Sequence, residues 1–376
     1  MNTASRSARL FAAIAFVIVS VIASATAHAQ APTCNQAPGP NCLYLPAASY
    51  GFTPMERSVF YDDVAGQPRE VKFMIRQPLG APLPMPVVIW SHGETTGKKS
   101  ATTSMVEWSE LSARAGYVSI SIAHAPRIDE SASLCPLIGI DAAACALFAH
   151  LNWDRPHDIR AVLDEVQRLA AGEFRGQIDT AKIAIGGHSA GSGGAQTVAG
   201  AKRSFVNPPG RLSDPRPIAF LAFSPQQPGI SGFFDTRFQN PAHSWADIRR
   251  PMLTATGDGD DSCDPLPVPV PVPGVCIGDT PFGRRIGFQR MPANGNKYHL
   301  YIHDADAFHM LFQLNTSKCG TPGADPAKCN EIVRWLSSAA LAFLDGHVKQ
   351  LPAALQWLQS KNIEQASGGV AEWQRK

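Results

Sequence analysis

A chain of 376 residues, 44% hydrophobic and with a formal charge of +2, is long enough for one large α/β domain or two small ones, and apolar enough to bury a sizeable core. The near-neutral balance excludes an electrostatic surface of the kind that gathers nucleic acid, so no nucleic-acid partner is expected. No Cys-x-x-Cys or His-Glu-x-x-His occurs, so no metal site is expected.

In chain order, Arg6 and Arg9 precede an apolar run at residues 10–22, and Ala27-His28-Ala29 supplies a small-x-small cleavage site. That is the pattern of a secretory signal peptide over residues 1–29. The run is shorter than the roughly 20 apolar residues that span a bilayer, and Ser20 and Ser24 interrupt it. Cleavage after Ala29 is therefore expected rather than a stable membrane anchor, and the protein is expected to be periplasmic or secreted. The loss of two arginines takes the formal charge to 0. All eight cysteines lie beyond that site, and an even count in an exported chain points to disulfides. They fall in neighbouring pairs, Cys34 with Cys42, Cys135 with Cys145, Cys263 with Cys276 and Cys319 with Cys329. Local bridges are the preferred connectivity, although sequence cannot choose among the possible pairings.

A proline-rich lead at 30–55 is followed by strand-like runs at 58–61, 70–76 and 86–91, a helical pattern at 105–115 and a strand at 117–122. Residues 152–169 have helical spacing, with Ile159, Val162, Leu163, Val166 and Leu169 on one face and Asp154 as a first-turn acid. A short strand at 182–185 and a helix of small residues at 190–201 come next. Strands at 217–223, 251–256 and 297–302 and a final helix at 330–344 complete a catalytic-domain assignment of 56–350, which leaves 351–376 as a C-terminal tail. Strands alternating with helices predict an α/β fold with a mostly parallel sheet flanked on both faces. The insertion at 262–276 contains alternating prolines at 265–273. Such a segment cannot be a central strand, and polyproline II is its natural geometry. It is a lid near the site or a surface insertion without function.

Between the strand at 182–185 and its helix sits Gly187-His188-Ser189-Ala190-Gly191. A serine on a strand-to-helix corner is held exposed on a sharp turn, with glycines where a Cβ would collide with its neighbours. The stretch lacks the Gly-Lys-Ser/Thr ending of a phosphate-binding loop. A serine hydroxyl needs a base to take its proton and a third group to orient that base. Asp258, Asp260 and Asp261 follow the strand at 251–256, and His309 follows the strand at 297–302, in the chain order serine, acid, histidine. His92 is read as bracing its loop and His188 as packing or hydrogen-bonding locally, and His299 and His303 sit at the last strand rather than beyond it.

The stretches VVIWSHG at 87–93, AIGGHSAGSGGAQTVAGA at 184–201, RPMLTATGDGDD at 250–261 and DADAFHMLF at 304–312 resemble the α/β-hydrolase superfamily. Within it, they resemble the dienelactone-hydrolase-like and platelet-activating-factor-acetylhydrolase-like esterases. The resemblance implies an α/β-hydrolase fold with Ser189 as nucleophile, His309 as base and an aspartate after Thr256 as the orienting acid. The family's Gly-x-x-Asp ending selects Asp260. The oxyanion donors would be the backbone N–H groups of Ala190 and, by similarity to Ser-His-Gly loops, Glu94. The charged Glu94 departs from the family, so its side chain must point away or the assignment is off by one. The expected activity is hydrolysis of small-molecule or polymeric carboxylic esters through an acyl-enzyme, with no cofactor. The alternatives are a lactonase or polyester depolymerase on the same residues, a peptidase, and a binding protein that kept the fold without catalysis.

Overall fold

The computed structural model describes residues 42–93, 100–124, 131–137, 139, 150–203, 212–229, 234, 242–262, 279–321 and 323–376. The expected signal segment, Glu94, the prolines at 265–273, and Cys34, Cys145, Cys263 and Cys276 lie outside them.

The strands are β1 (Phe52–Asp62), β2 (Pro68–Pro78), β3 (Met85–Ser91), β4 (Val118–Ala123), β5 (Ile178–His188), β6 (Ala219–Phe223), β7 (Met252–Gly257), β8 (Lys297–Ile302) and β9 (Ala371–Arg375). They form one sheet in the order β1-β2-β4-β3-β5-β6-β7-β8-β9. From β4 to β8 every neighbouring pair is parallel, while β1 on β2, β2 on β4 and β9 on β8 are antiparallel. The helices are α1 (Val106–Arg114), α2 (Ser131–Leu137), α3 (His150–Ala171), α4 (Ala190–Ala199), α5 (Ala242–Trp245), α6 (Pro281–Arg290), α7 (Pro326–His347), α8 (Pro352–Leu358) and α9 (Asn362–Ala366).

Side-chain alternation builds two cores, one on each face of the sheet. Val88, Trp90, Ala184, Leu221, Leu253 and Leu300 turn to the face packed with Trp108 of α1 and Ile332, Leu336 and Phe343 of α7. Val87, Ile89, Ile183, Ile185, Phe220 and Met252 turn to the other, against Ile159, Val162 and Val166 of α3 and Val198 of α4. A strand buried on both faces reads as a continuous apolar run, as β3 and β6 do. Each such Val, Leu, Ile or Phe contributes about 1.5–3 kcal/mol by leaving water. Aromatic rings add shape: Trp108 lies parallel to Phe223 with centroids 4.3 Å apart.

Three assignments from sequence change. The described part of the lead, 42–55, is built into the domain, since β1 begins at Phe52 and buried Tyr44 donates its hydroxyl to Asp345 Oδ2 at 2.7 Å. The stretch 351–376 is not a tail: α8 and α9 lead into β9, whose Trp373 pairs with Leu300 and covers the β8 edge. Asp154 is not in a first turn, because α3 starts at His150; buried Asp154 instead lies 3.5 Å from Arg69 Nη1. Cys319 and Cys329 form a disulfide with Cα atoms 6.0 Å apart, tying the chain before α7 to its first turn. Cys42 and Cys135 are disulfide-bonded as well, and no described cysteine is free. Among the described residues no helix is long and apolar enough to cross a membrane.

Because β3 and β5 to β8 are parallel, the segments that follow Ser91, His188, Phe223, Gly257 and Ile302 all emerge at the same edge of the sheet. In open α/β sheets that carboxyl edge is where ligands bind.

Candidate active site

Ser189 occupies the corner between β5 and α4 with φ 53° and ψ −122°. A non-glycine residue in this left-handed region is strained, and it persists only when its surroundings fix it. They do so by close packing. A Cβ on Gly187 would overlap the Gly191 carbonyl, and one on Gly191 would overlap the carbonyls of Ser91 and His92. The Ser189 amide donates to Phe223 O at 3.0 Å, and the Gly193 amide to Ser189 O at 3.2 Å. Ala190 opens α4, so its N–H is among the first helical amides, which have no intrahelical acceptor. Gly191→Ala should therefore unfold the corner rather than alter chemistry. We expect a loss of about 2–4 kcal/mol, read as a lower urea midpoint with activity falling in parallel.

Asp260 follows from the turn after β7. Its amide donates to Gly257 O at 3.0 Å, closing a four-residue turn that accounts physically for the Gly-x-x-Asp spacing. A Cβ on Gly257 would lie 2.7 Å from Ala307 Cβ, and one on Gly259 would overlap the Ala305 carbonyl. The two glycines thus let the β7 turn press against the loop that carries His309. Asp260 is fully buried, and its Oδ1 lies 2.7 Å from His309 Nδ1 while its Oδ2 accepts from Thr256 Oγ1 at 2.8 Å. Burial alone would raise the Asp260 carboxyl, but the Arg284 charge and the His309 hydrogen bond outweigh it and bring the pKa down to about 2. An ionised Oδ1 can only accept, so His309 Nδ1 carries the proton and Nε2 is left as the basic nitrogen.

The other aspartates take different parts. Asp258 Oδ1 accepts from Tyr301 OH at 2.6 Å, and Asp261 is exposed. His309 opens a 3₁₀ turn, His309–Gln313, in which Phe312 is buried and Met310 half-buried, while Phe308, half-buried, precedes it.

His188 joins the serine corner to the histidine. Its Nε2–H donates to the His309 carbonyl at 2.9 Å, and the two rings lie with centroids 4.4 Å apart. The sequence reading gives His188 local packing or a local hydrogen bond, whereas its partner is 121 residues away. Burial, and then the neighbouring His309, hold its imidazole well below the ordinary range, so it stays neutral. The loop after β3 meets the same corner: a Cβ on Gly93 would lie 3.1 Å from His188 Nδ1 and 3.2 Å from Ser189 Cβ. Glu94 itself is outside the described residues. His92 braces this loop through Nδ1–H to Gly93 O at 2.6 Å. His299 is buried against Thr254 Oγ1 at 2.7 Å, and His303 lies 3.2 Å from Glu372; neither contacts Asp260 in this structure.

Sequence reasoning missed Arg284. It is fully buried on α6, with Nε 3.2 Å from Asp260 Oδ1 and 3.0 Å from Asp260 O, Nη1 2.8 Å from Ser224 O, Nη2 2.8 Å from Ser262 Oγ, and Nη2 3.2 Å from His309 Nδ1. One guanidinium thus ties the segment after β6 to Asp260 in the turn after β7. The signal was Thr280-Pro281, an N-cap followed by proline at the first helical position; Thr280 Oγ1 accepts from the Gly283 amide at 3.1 Å. Among the described residues no group of His, Cys, Asp and Glu could hold a metal ion.

Compared with models of known protein families and with curated proteins, the chain matches none.

Proposed function

We propose that the protein is an exported serine hydrolase of carboxylic esters with an α/β-hydrolase fold. The single observation that carries this reading is the junction of three segments at one sheet edge. Ser189 sits on a strained corner at φ 53°, His309 Nδ1 lies 2.7 Å from buried Asp260, and His188 links the two by its hydrogen bond to the His309 carbonyl. The corner, the helix that follows it and the chain order serine, acid, histidine fit the superfamily the sequence resembles.

In the proposed cycle, Ser189 Oγ attacks the ester carbonyl while His309 Nε2 takes its proton. Asp260 holds Nδ1–H, fixes the tautomer and stabilises the imidazolium. The Ala190 N–H and an N–H from the loop after β3 receive the oxyanion. Collapse expels the alcohol, which takes its proton from His309, and leaves an acyl-Ser189 ester. Water activated by His309 then releases the acid and restores the serine.

Mixing the protein with p-nitrophenyl acetate tests this reading. A rapid release of p-nitrophenolate, about one equivalent per chain when deacylation is slower than acylation, followed by slower turnover, is the expected trace. No release above the buffer rate with acetyl, butyryl and longer acyl esters would exclude the proposal.

A further inference from the structure

The start of the loop after β3, His92 and Gly93, is gripped from beneath by a buried cation that the proposed cycle does not use. Arg155 of α3 is 1% exposed; its Nη1 donates to the His92 carbonyl and its Nη2 to the Gly93 carbonyl at 3.0 Å. The Gly93 carbonyl also accepts His92 Nδ1–H, and the His124 amide, donating to His92 Nε2 at 3.1 Å, holds His92 in the required tautomer. Behind them runs a buried chain: Ser91 Oγ to His124 Nε2 at 2.8 Å, and His124 Nδ1–H to Asp158 Oδ2 at 2.7 Å. Asp158 Oδ1 in turn accepts from Arg69 Nε at 2.7 Å and Tyr61 OH at 2.8 Å. This Ser-His-Asp chain imitates a catalytic set, but Ser91 and Asp158 are fully buried and His124 is 4% exposed. No substrate reaches it, so its part is to hold the loop.

A guanidinium suits the task because its planar fork offers parallel N–H groups to two successive carbonyls, which an ammonium cannot match. The consequence is directional. In a trans peptide the N–H points opposite to the C=O, and the one cis bond among the described residues is Leu83-Pro84. Pinning the His92 carbonyl toward α3 turns the Gly93 N–H away from α3. Gly93 is also the residue that abuts Ser189, with its built Cβ 3.2 Å from the serine Cβ.

We infer that Arg155 is a positioning residue for oxyanion stabilisation: by holding the carbonyls of His92 and Gly93 it fixes this loop, and with it the direction of the Gly93 N–H as the amide that meets the developing negative charge beside Ser189. The inference rests on the ester-hydrolase reading.

The test compares an oxoester with its thionoester, in which sulfur replaces the carbonyl oxygen. A donor placed for a compact oxyanion favours the oxoester, because the larger sulfur accepts hydrogen bonds weakly. Arg155→Lys should lower kcat/KM for the oxoester by about 10²-fold, chiefly in kcat, and lower the thionoester rate far less, so that the preference for oxygen falls by about tenfold or more. Damage to the serine, the base or the fold lowers both rates alike. Urea midpoints give the folded fraction, and His92→Asn, which removes the other donor on the Gly93 carbonyl without a charge change, should lower the same preference if Arg155→Lys does not fold. Folded variants that keep the wild-type preference overturn the positioning role alone. Wild type that cleaves neither ester overturns the reading beneath it.

Discussion

Ser189→Ala should lower kcat for ester hydrolysis by about 10⁶-fold while leaving the urea midpoint within about 0.5 kcal/mol of wild type. The loss is large because His309 and Asp260 have no work without the hydroxyl, so removing the serine costs nearly as much as removing all three. Stability holds because Ser189 is half-exposed, and the hydrogen bonds that fix its corner come from its amide and its carbonyl rather than its side chain. Alanine does share the strain at φ 53°, but that strain is already present with serine. Rates would be measured with a p-nitrophenyl ester, and residual activity above about a hundredth of wild type would remove Ser189 from the mechanism.

Asp260→Asn should cost about 10⁴ in kcat. An amide placed where Oδ1 accepts can present its NH₂ to His309, which favours the opposite tautomer and turns the wrong nitrogen toward the serine. Asp258→Asn should cost little, since Asp258 is bonded to Tyr301 OH at 2.6 Å. The pair tests the choice of Asp260 over Asp258. Stability carries a second signature. The Asp260 pKa is depressed to about 2 from its ordinary 3.8, so the folded state binds fewer protons here than the unfolded state. The contribution is fully present above about pH 4 and is lost as pH falls toward 2. The gap in stability between wild type and Asp260→Asn should therefore narrow over that window, measured by urea unfolding. A gap that stays constant from pH 6 to pH 2 would contradict the assigned ionisation.

Much of the sheet was legible because its strands are buried on both faces. β6 reads as an unbroken apolar run and β3 as one up to Ser91, and the predicted strand at 297–302 coincides with β8. β9 escaped because Ala371-Glu372-Trp373-Gln374-Arg375 has only two inward residues and sits at the chain end. Its identity as a strand comes from pairing with β8, a partner that local pattern does not reveal. α6 escaped because Pro281–Arg290 holds two glycines and three arginines and shows no apolar stripe. The serine corner was legible because its glycines answer a local steric demand. Asp260 was narrowed by the Gly-x-x-Asp turn, and the tertiary approach of the 305–307 loop brings it to His309.

The charged residues beneath the loop after β3 had a signal that periodicity alone could have flagged. Arg155 and Asp158 lie on the stripe of α3 that continues through Ile159, Val162, Val166 and Leu169. A cation and an acid on an apolar face are costly unless paired or hydrogen-bonded. Their partners, His92, Gly93, Arg69 and His124, come from β2 and from the ends of β3 and β4, so only the assembled sheet reveals them.

The most direct test of Ser189 as the nucleophile is covalent. The protein would be incubated with a fluorophosphonate, digested with trypsin and mapped by tandem mass spectrometry. Cleavage after Lys182 and Lys202 yields a peptide of residues 183–202 that contains both Ser189 and Ser192, and fragment ions separate the two. One adduct per chain, on Ser189, lost in Ser189→Ala, is the result predicted. An adduct on Ser192 or elsewhere, or equal labelling of Ser189→Ala, would contradict the account.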